Sequence, residues 1–387
     1  MYKGKYVESL GMTDLQHLDS LGKPYKIFAE IIEEAAILQF IDYMDQDWVV
    51  KGALMPDVHS GYSLPIGAVI ACDGVISPQA VGYDIGCGMC ALPTTFEAGE
   101  VKEKAKAIFD GIYKAVPVGF SHNQRNTEWD YSVLPRTAKM QEIFDKNGLR
   151  QIGSLGGGNH FAEVGADETG KVWVVIHSGS RGIGHAAASH YMRLASGDGK
   201  AREGHFGFDV NETNGVDYIA DLGFCLELAL ENRREIMRRI EAVLSANCTG
   251  FGDWDALINR NHNHAELKDG LWIHRKGATH AESGMMGVIP GNMRDGSFIV
   301  RGKGNPYALW SSSHGAGRVL GRKEAQRTLN MEQFTEAMTG VVALVTAETL
   351  DESPFAYKSI YDIIESQVRD GMIEKVCHIR PIINIKG

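Results

Sequence analysis

The apolar run Val172-Trp173-Val174-Val175-Ile176 stops at His177 and passes at once into Ser178-Gly179-Ser180-Arg181-Gly182. Consecutive apolar residues, mostly β-branched, read as a buried strand. A histidine at the end of such a strand, followed by glycines, puts polar chemistry at a strand end. Other short β-rich pieces are also set off by glycine: SLPIGAVIACDG (63–74), GMCALPTTF (88–96) and SFIVRG (297–302). Helical spacing appears over 29–48, where Ile31, Ile32, Ala35, Leu38 and Ile41 form the predicted buried face and the acids the solvated one. It returns over 101–114, 218–246 and near 357–370. Arg233, Arg234, Arg238 and Arg239 on the second of these read as a solvated basic edge.

Strands running into histidine-bearing turns predict an α+β fold: one large domain over 1–387, with mixed β-sheets flanked by helices and the site at strand ends and Gly-rich loops. No linker, low-complexity tract or internal repeat divides the chain. With 44% hydrophobic and 23% charged residues the composition is that of a soluble globular protein. No apolar stretch approaches the length of a membrane span, and MYKGKYVESLG lacks the apolar segment of a secretory signal, so the expected location is cytoplasmic. Six scattered cysteines make no disulfide framework, which leaves thiolate ligand or core residue as their roles. A formal charge of −10 argues against nucleic-acid binding by overall field, but leaves room for a local basic groove.

Glycine is the compositional anomaly: 45 of 387 residues, about 12%, against a usual share of about 7%. Such an excess points to special backbone angles and close backbone approaches, both of which phosphate cradles require. GSLGGGNH, HSGSRGIG, IPGNMRDGS and HGAGR each supply a possible cradle, with basic neighbours Arg181, Arg275, Lys276, Arg294 and Arg318. None has the spacing of a P-loop or a dinucleotide-binding turn.

Metal-binding side chains concentrate in four segments. Asp84 and Cys87 lie three apart in VGYDIGCGM; His160 follows three glycines and Asn159; His177 ends its strand; His262 and His264 sit among amides in NRNHNHAE. Taken singly, each histidine is an ordinary turn residue. Together, a thiolate, a carboxylate and several imidazoles suit a divalent transition metal such as Mn, Fe, Co or Zn. CGMC has no second CxxC to make a zinc ribbon, and a redox pair fits the turn less well than a metal does. In SSSHGAGR, His314 is walled by Ser311–Ser313 and Gly315–Gly317, so a large group can approach its ring nitrogen. Such a histidine can serve as a covalent nucleophile at a nucleotide phosphorus.

MPDVHSGYSLPIGAV (55–69), VGYDIGCGM, GSLGGGNHF, IHSGSRGIGH, HNHAE, HRKGATHAE, IPGNM, SSSHGAGR and the terminal NIKG together resemble the RtcB-type RNA ligases, in that family's order, over roughly residues 50–387. The resemblance implies a Mn(II)- and GTP-dependent ligase that joins an RNA 2′,3′-cyclic phosphate or 3′-phosphate end to a 5′-hydroxyl end. It implies two Mn(II) ions on Asp84, Cys87, His160, His177 and His262, Cys87 bridging them, and His314 as the residue that becomes guanylylated. The implied guanine-nucleotide contacts are Asn159, His160, Phe161, Ala162, Glu163, His262, Asn263, Pro290, Gly291, Asn292, Met293, Ser297, His314, Gly315, Ala316, Gly317 and Lys386. Arg181, Arg275 and Arg318 are the expected RNA contacts. The expected partners are RNA, GTP and an archease-like activator, with the chain itself a monomer and away from membranes.

The chain departs from the family's usual pattern at Asn292, where serine is usual, at Ser63, where glycine is common, and at Leu320-Gly321-Arg322, where Met-Ser-Arg is common. These departures point to retuned nucleotide affinity and to RNA repair as an alternative to tRNA splicing. Two other readings compete. A metal-dependent phosphoesterase would need the metal ligands but neither His314 nor GTP, and a non-catalytic RNA-binding scaffold would need neither set.

Overall fold

The computed structural model describes residues 12–387, so the reading of MYKGKYVESLG falls on a segment outside the described residues. Two sheets organise the chain. An eight-stranded sheet runs in the order Met286–Pro290, Ser297–Gly302, Ile373–Lys386, Phe161–Ala166, Lys171–Ser178, Gly88–Glu97 and Ile258–Asn261, with Val342–Ala343 paired beside Ile373–Lys386. Its first and last strands touch, so the sheet curls nearly into a barrel. A five-stranded sheet runs Tyr25–Ile27, Val49–His59, Ile66–Cys72, Leu271–Lys276 and Asn263–Lys268. The fold is therefore the mixed α/β arrangement of sheets and flanking helices that the sequence predicts.

Alternation along the strands sorts the side chains. Met89, Ala91, Phe161, Trp173, Val175 and Ile258 fill the inside of the curled sheet. Cys90, Leu92, Val172, Val174 and Ile176 point outward and pack with residues of the helices Ala105–Ala115 and Thr213–Asn247. Both faces are covered, which is why 172–176 is uninterruptedly apolar. His177 keeps the inward parity of Trp173 and Val175, Cys87 that of Met89, and His262 that of Ile258. Pairing of Gly88 with both Ser178 and Asn261 brings these three strand ends to one rim. The chain leaves the curled sheet at Asn261 and enters the other at Asn263, so His262 stands at the crossing between them.

The strands predicted at 88–96, 171–180 and 297–302 are present as Gly88–Glu97, Lys171–Ser178 and Ser297–Gly302. The helix predicted at 29–48 spans Glu34–Met44 and is rotated from the predicted face: Ala36, Ile37, Phe40, Ile41 and Met44 are buried, while Ile31 and Leu38 are exposed. Ile32 and Ile41 do enter the core. Without the partner sheet, two overlapping apolar stripes compete for the same helix, and packing against Val49–His59 selects one. The helix predicted at 218–246 is a single helix of 35 residues, Thr213–Asn247. Its arginines make no basic edge: Arg234, Arg238 and Arg239 pair with Glu231 and Glu235, and Arg233 is fully buried.

Candidate active site

Asp84 and Cys87 stand on one tight turn, closed by the Cys87 amide donating to the Asp84 carbonyl at 3.1 Å. Gly86 in that turn has φ +72, and a Cβ there would lie 2.8 Å from Ala229 Cβ on the long helix. The Cys87 sulfur lies 3.3 Å from His160 Nε2 and 3.1 Å from His177 Nε2. His177 Nε2 faces His262 Nε2 at 3.2 Å, and His160 Nε2 lies 3.2 Å from Asp84 Oδ2. Cys87, His160 and His177 thus form one tight group, with Asp84 beside His160 and His262 beside His177, so the five side chains that the resemblance implies as metal ligands are contiguous.

This cluster fits a divalent metal by its own hydrogen bonding. His160 Nδ1 bonds the Leu155 carbonyl at 2.9 Å and His177 Nδ1 bonds the Asn159 carbonyl at 3.2 Å. A carbonyl can only accept, so both rings carry a proton on Nδ1; the His177 Nε2 lone pair then faces the thiol, while His160 Nε2 faces both the thiol and the Asp84 carboxylate. That outer hydrogen bond is the arrangement that orients metal-ligating imidazoles. Lone pairs turned toward one another are stable only with positive charge among them. Burial and the neighbouring Asp84 push the Cys87 thiol well up, and burial with adjacent cationic groups holds His177 and His262 well below their usual value. Burial alone would raise Asp84, but its bond to His160 outweighs this and brings it down to about 2.

Two residues of the long helix hold the cluster together. The Arg233 guanidinium donates to the carbonyls of Gly86 and Ser178, 2.8 Å each, and to the side-chain oxygens of Asn259 and Asn261, 2.6 Å each. It thereby ties the three segments that carry Cys87, His177 and His262. Asn232 Oδ1 accepts from the amides of Gly153 and Ser154, and its Nδ2 donates to Ser178 Oγ and the Gly179 carbonyl. In sequence Arg233 is one arginine in a charged run; its burial was not legible there.

His314 lies beside this cluster, its ring centroid 4.8 Å from that of His262. Its Nδ1 is 2.7 Å from Oδ2 of Asp57, and that oxygen also accepts the backbone amides of His314 and Gly315. Asp57 is fully buried. Burial would raise its carboxyl, yet the His314 bond and charge hold it below the ordinary value. Asp57 fixes the His314 proton on Nδ1 and leaves Nε2 free. Sequence reading missed Asp57 although it lies inside a quoted motif, MPDVH. The small neighbours of His314 have specific reasons: Ser311–Ser313 form a buried strand against Ala278–His280, and a Cβ at Gly317, where φ is +78, would come 2.4 Å from the Asp57 carbonyl.

Two clefts meet at His314. The first, about 260 Å³, is walled by Asp84, Cys87, His262, Asn263, Lys276 and Tyr62. The second, about 240 Å³, is lined by Phe161, Pro290–Met293, Gly315–Gly317, Asn384 and Lys386, with Arg318 and Arg322. Asn159 borders both. Behind Asn384 lies Glu163, whose carboxyl burial pushes up to about 8. Glu163 Oε1, Ser297 Oγ and Asn384 Oδ1 are buried without partners. Such a group of orphaned polar atoms fits a hydrogen-bonding ligand.

Several predicted contacts are placed differently. Ala162 faces the helix-side core, so it offers the cleft only its backbone. Asn263 borders the first cleft, where its amide bonds the Asp84 carbonyl and the Gly277 amide. The Asn292 side chain closes its own turn, accepting from the amides of Arg294 and Asp295 and donating to Asp295 Oδ2. Arg275, expected at RNA, is fully buried on Glu266, Ser311 and His264, so no backbone phosphate reaches it. Its guanidinium supplies positive charge within a second potential ligand group, His264, Glu266 and His280. Arg181 braces Ser154 and the Gly119 carbonyl beside the His160 loop. Arg318 is paired with Glu352 at the rim of the second cleft, and Lys386 joins the same carboxylate at 2.6 Å. Arg322, which the sequence analysis did not select, is 2.6 Å from Glu352 and also borders that cleft.

Fold and site thus define a mixed α/β protein with a metal-competent thiol, carboxylate and imidazole cluster at a sheet junction. A family model described as tRNA-splicing ligase RtcB matches residues 39–142 and 129–387, and the chain belongs to this family. It is 33% identical to the RNA-splicing ligase RtcB of Escherichia coli K12, over 92% of this chain and 95% of that protein. It is 30% identical to the tRNA-splicing ligase RtcB of Pyrobaculum aerophilum, over 86% and 87%, and 30% identical to that of Thermococcus kodakarensis, over 90% and 93%. No helix among the described residues is long and apolar enough to cross a membrane.

Proposed function

We propose that this protein is a GTP- and Mn(II)-dependent RNA ligase that seals a 3′-phosphate or 2′,3′-cyclic phosphate end to a 5′-hydroxyl end, in tRNA splicing or RNA repair. The observation that carries the reading is His314: a ring nitrogen bared by Asp57, between a metal-competent cluster and a second cleft backed by orphaned polar atoms. Ionised, Glu163 would accept the two adjacent N–H groups that distinguish guanine. Lys386, Arg318 and Arg322 would lie along the nucleotide's phosphates.

In the first transfer His314 Nε2 attacks the α-phosphorus of GTP. The N–P bond forms, the α–β P–O bond breaks, and pyrophosphate leaves. Asp57 keeps the Nδ1 proton and balances the positive charge that grows on the ring. A 3′-phosphate oxygen then takes GMP from His314, and the RNA 5′-hydroxyl attacks the 3′-phosphorus, releasing GMP. A cyclic phosphate must first be opened by water to the 3′-phosphate. Mn(II) held by Asp84, Cys87, His160, His177 and His262 would supply electrostatic stabilisation of the phosphates and activation of water.

Incubation with α-labelled GTP and Mn(II), followed by denaturing electrophoresis, tests the reading. Acid-labile label is expected on the wild type and absent from His314→Ala. Metal binding and hydrolysis of RNA ends without any protein label would instead favour the phosphoesterase reading. Absence of metal binding and of label would favour a scaffold.

A further inference from the structure

Tyr62 is 64% exposed, yet the loop that presents it is anchored at nearly every residue. Glu33 accepts from both the amide and the hydroxyl of Ser60, at 3.1 and 2.7 Å. Gln39 bonds both the amide and the carbonyl of Gly61, at 3.0 and 2.6 Å. The buried amine of Lys276 donates to the Tyr62 carbonyl, and Ser63, at φ +61, accepts the Gly204 amide on its hydroxyl at 3.1 Å. A large apolar ring held out to water on a rigid loop gains nothing for folding. Its ring meets Tyr83 at right angles with centroids 6.2 Å apart, so at most one face is occupied. Tyr83 in turn stacks on His185 at 5.0 Å and 21°. Tyr62 and Tyr83 both wall the first cleft together with Cys87, His262 and His314.

We propose that Tyr62 is the stacking platform for the terminal nucleobase of the RNA strand that ends in the 3′-phosphate. This rests on the ligase reading above. With the guanosine in the second cleft, a terminal phosphate reaches His314 through the first, and its own nucleoside is then carried toward the cleft mouth, where Tyr62 stands. The 5′-hydroxyl strand brings no terminal phosphate to accept GMP, so the 3′ strand is the one that this wall must hold first. Aromatic stacking tolerates any base, which suits an enzyme that seals ends of differing sequence. Tyr62 positions the strand and touches no reacting atom.

The experiment compares wild type, Tyr62→Ala and Tyr62→Phe, first for protein guanylylation without RNA, then for ligation with 3′-phosphate strands whose terminal nucleotide is intact or abasic. Guanylylation of all three should be equal. The KM for the intact 3′ strand should rise about 5- to 100-fold in Tyr62→Ala and be restored in Tyr62→Phe. The abasic strand should cost the wild type a similar factor and Tyr62→Ala almost nothing more. Equal KM values for wild type and Tyr62→Ala, or an abasic penalty that persists undiminished in Tyr62→Ala, would overturn the platform. So would a penalty that follows an abasic nucleotide in the 5′-hydroxyl strand instead. Failure of the wild type to take label from GTP sinks the ligase reading itself, and is read before any RNA is added.

Discussion

Asp57 and His314, 257 positions apart in sequence, share a 2.7 Å hydrogen bond through His314 Nδ1, and the same carboxylate oxygen accepts the backbone amides of His314 and Gly315. His314, the proposed nucleophile, is thus oriented by a group on the neighbouring strand Val49–His59 rather than by its own loop. Asp57→Asn keeps an acceptor for these donors but removes the charge that offsets the developing imidazolium. The expected result is a fall of about 10²-fold in the rate of protein guanylylation, with metal affinity unchanged. Label incorporation beside a metal titration measures both, and an undiminished rate would remove Asp57 from the mechanism.

Arg233 bonds four acceptors on the segments that bear the proposed metal ligands. Arg233→Met should weaken metal binding about 10- to 100-fold without touching a ligand. Loss of a buried, fully bonded guanidinium should also cost about 3 kcal/mol of stability. Calorimetric metal titration and denaturant unfolding read the two effects separately. Arg234→Met, at a surface ion pair, should change neither.

Metal binding should release protons. The Cys87 thiol is pushed well above its usual range by burial and by Asp84, so it is protonated at neutral pH and must lose that proton to become a ligand. Affinity for Mn(II) should therefore increase with pH, and calorimetry in buffers of different ionisation enthalpy should show about one proton released per protein. Cys87→Ser should abolish the thiol's contribution. Proton-independent binding would argue against a thiolate ligand.

Glu163 gives a pH dependence of the opposite kind to a salt-bridged acid. Its folded carboxyl lies up at about 8, against an ordinary 4.5, because burial disfavours the charge. The stability associated with its neutral form is complete below pH 4.5 and is lost as pH rises toward 8, to a total of about 5 kcal/mol. In the absence of nucleotide, Glu163→Gln should be more stable than the wild type at pH 8 and no more stable at pH 4.5. Thermal unfolding at the two values measures this. The same substitution should weaken GTP binding, since a carboxamide cannot accept both guanine N–H groups.

What the sequence determined by itself is local. Residues 172–176 are apolar because both faces of that strand are covered, and 88–96 and 297–302 show their strand character directly. Asp84, Cys87, His160, His177, His262 and His264 stand out because carboxylate and imidazole groups recur beside glycine around one cysteine, and the resemblance to the RtcB-type ligases singles out the first five as ligands. The meeting of those five, the pairing of Asp57 with His314, and the burial of Arg233 and Arg275 were decided only by the tertiary structure. Strand register brings Gly88, Ser178 and Asn261 to one rim, and the exit from one sheet to the other sets His262 between them. A guanidinium reads alike whether it lies in solvent or in a core. Only the acceptors that long-range folding turns toward it, as with the carbonyls of Gly86 and Ser178, make its burial stable.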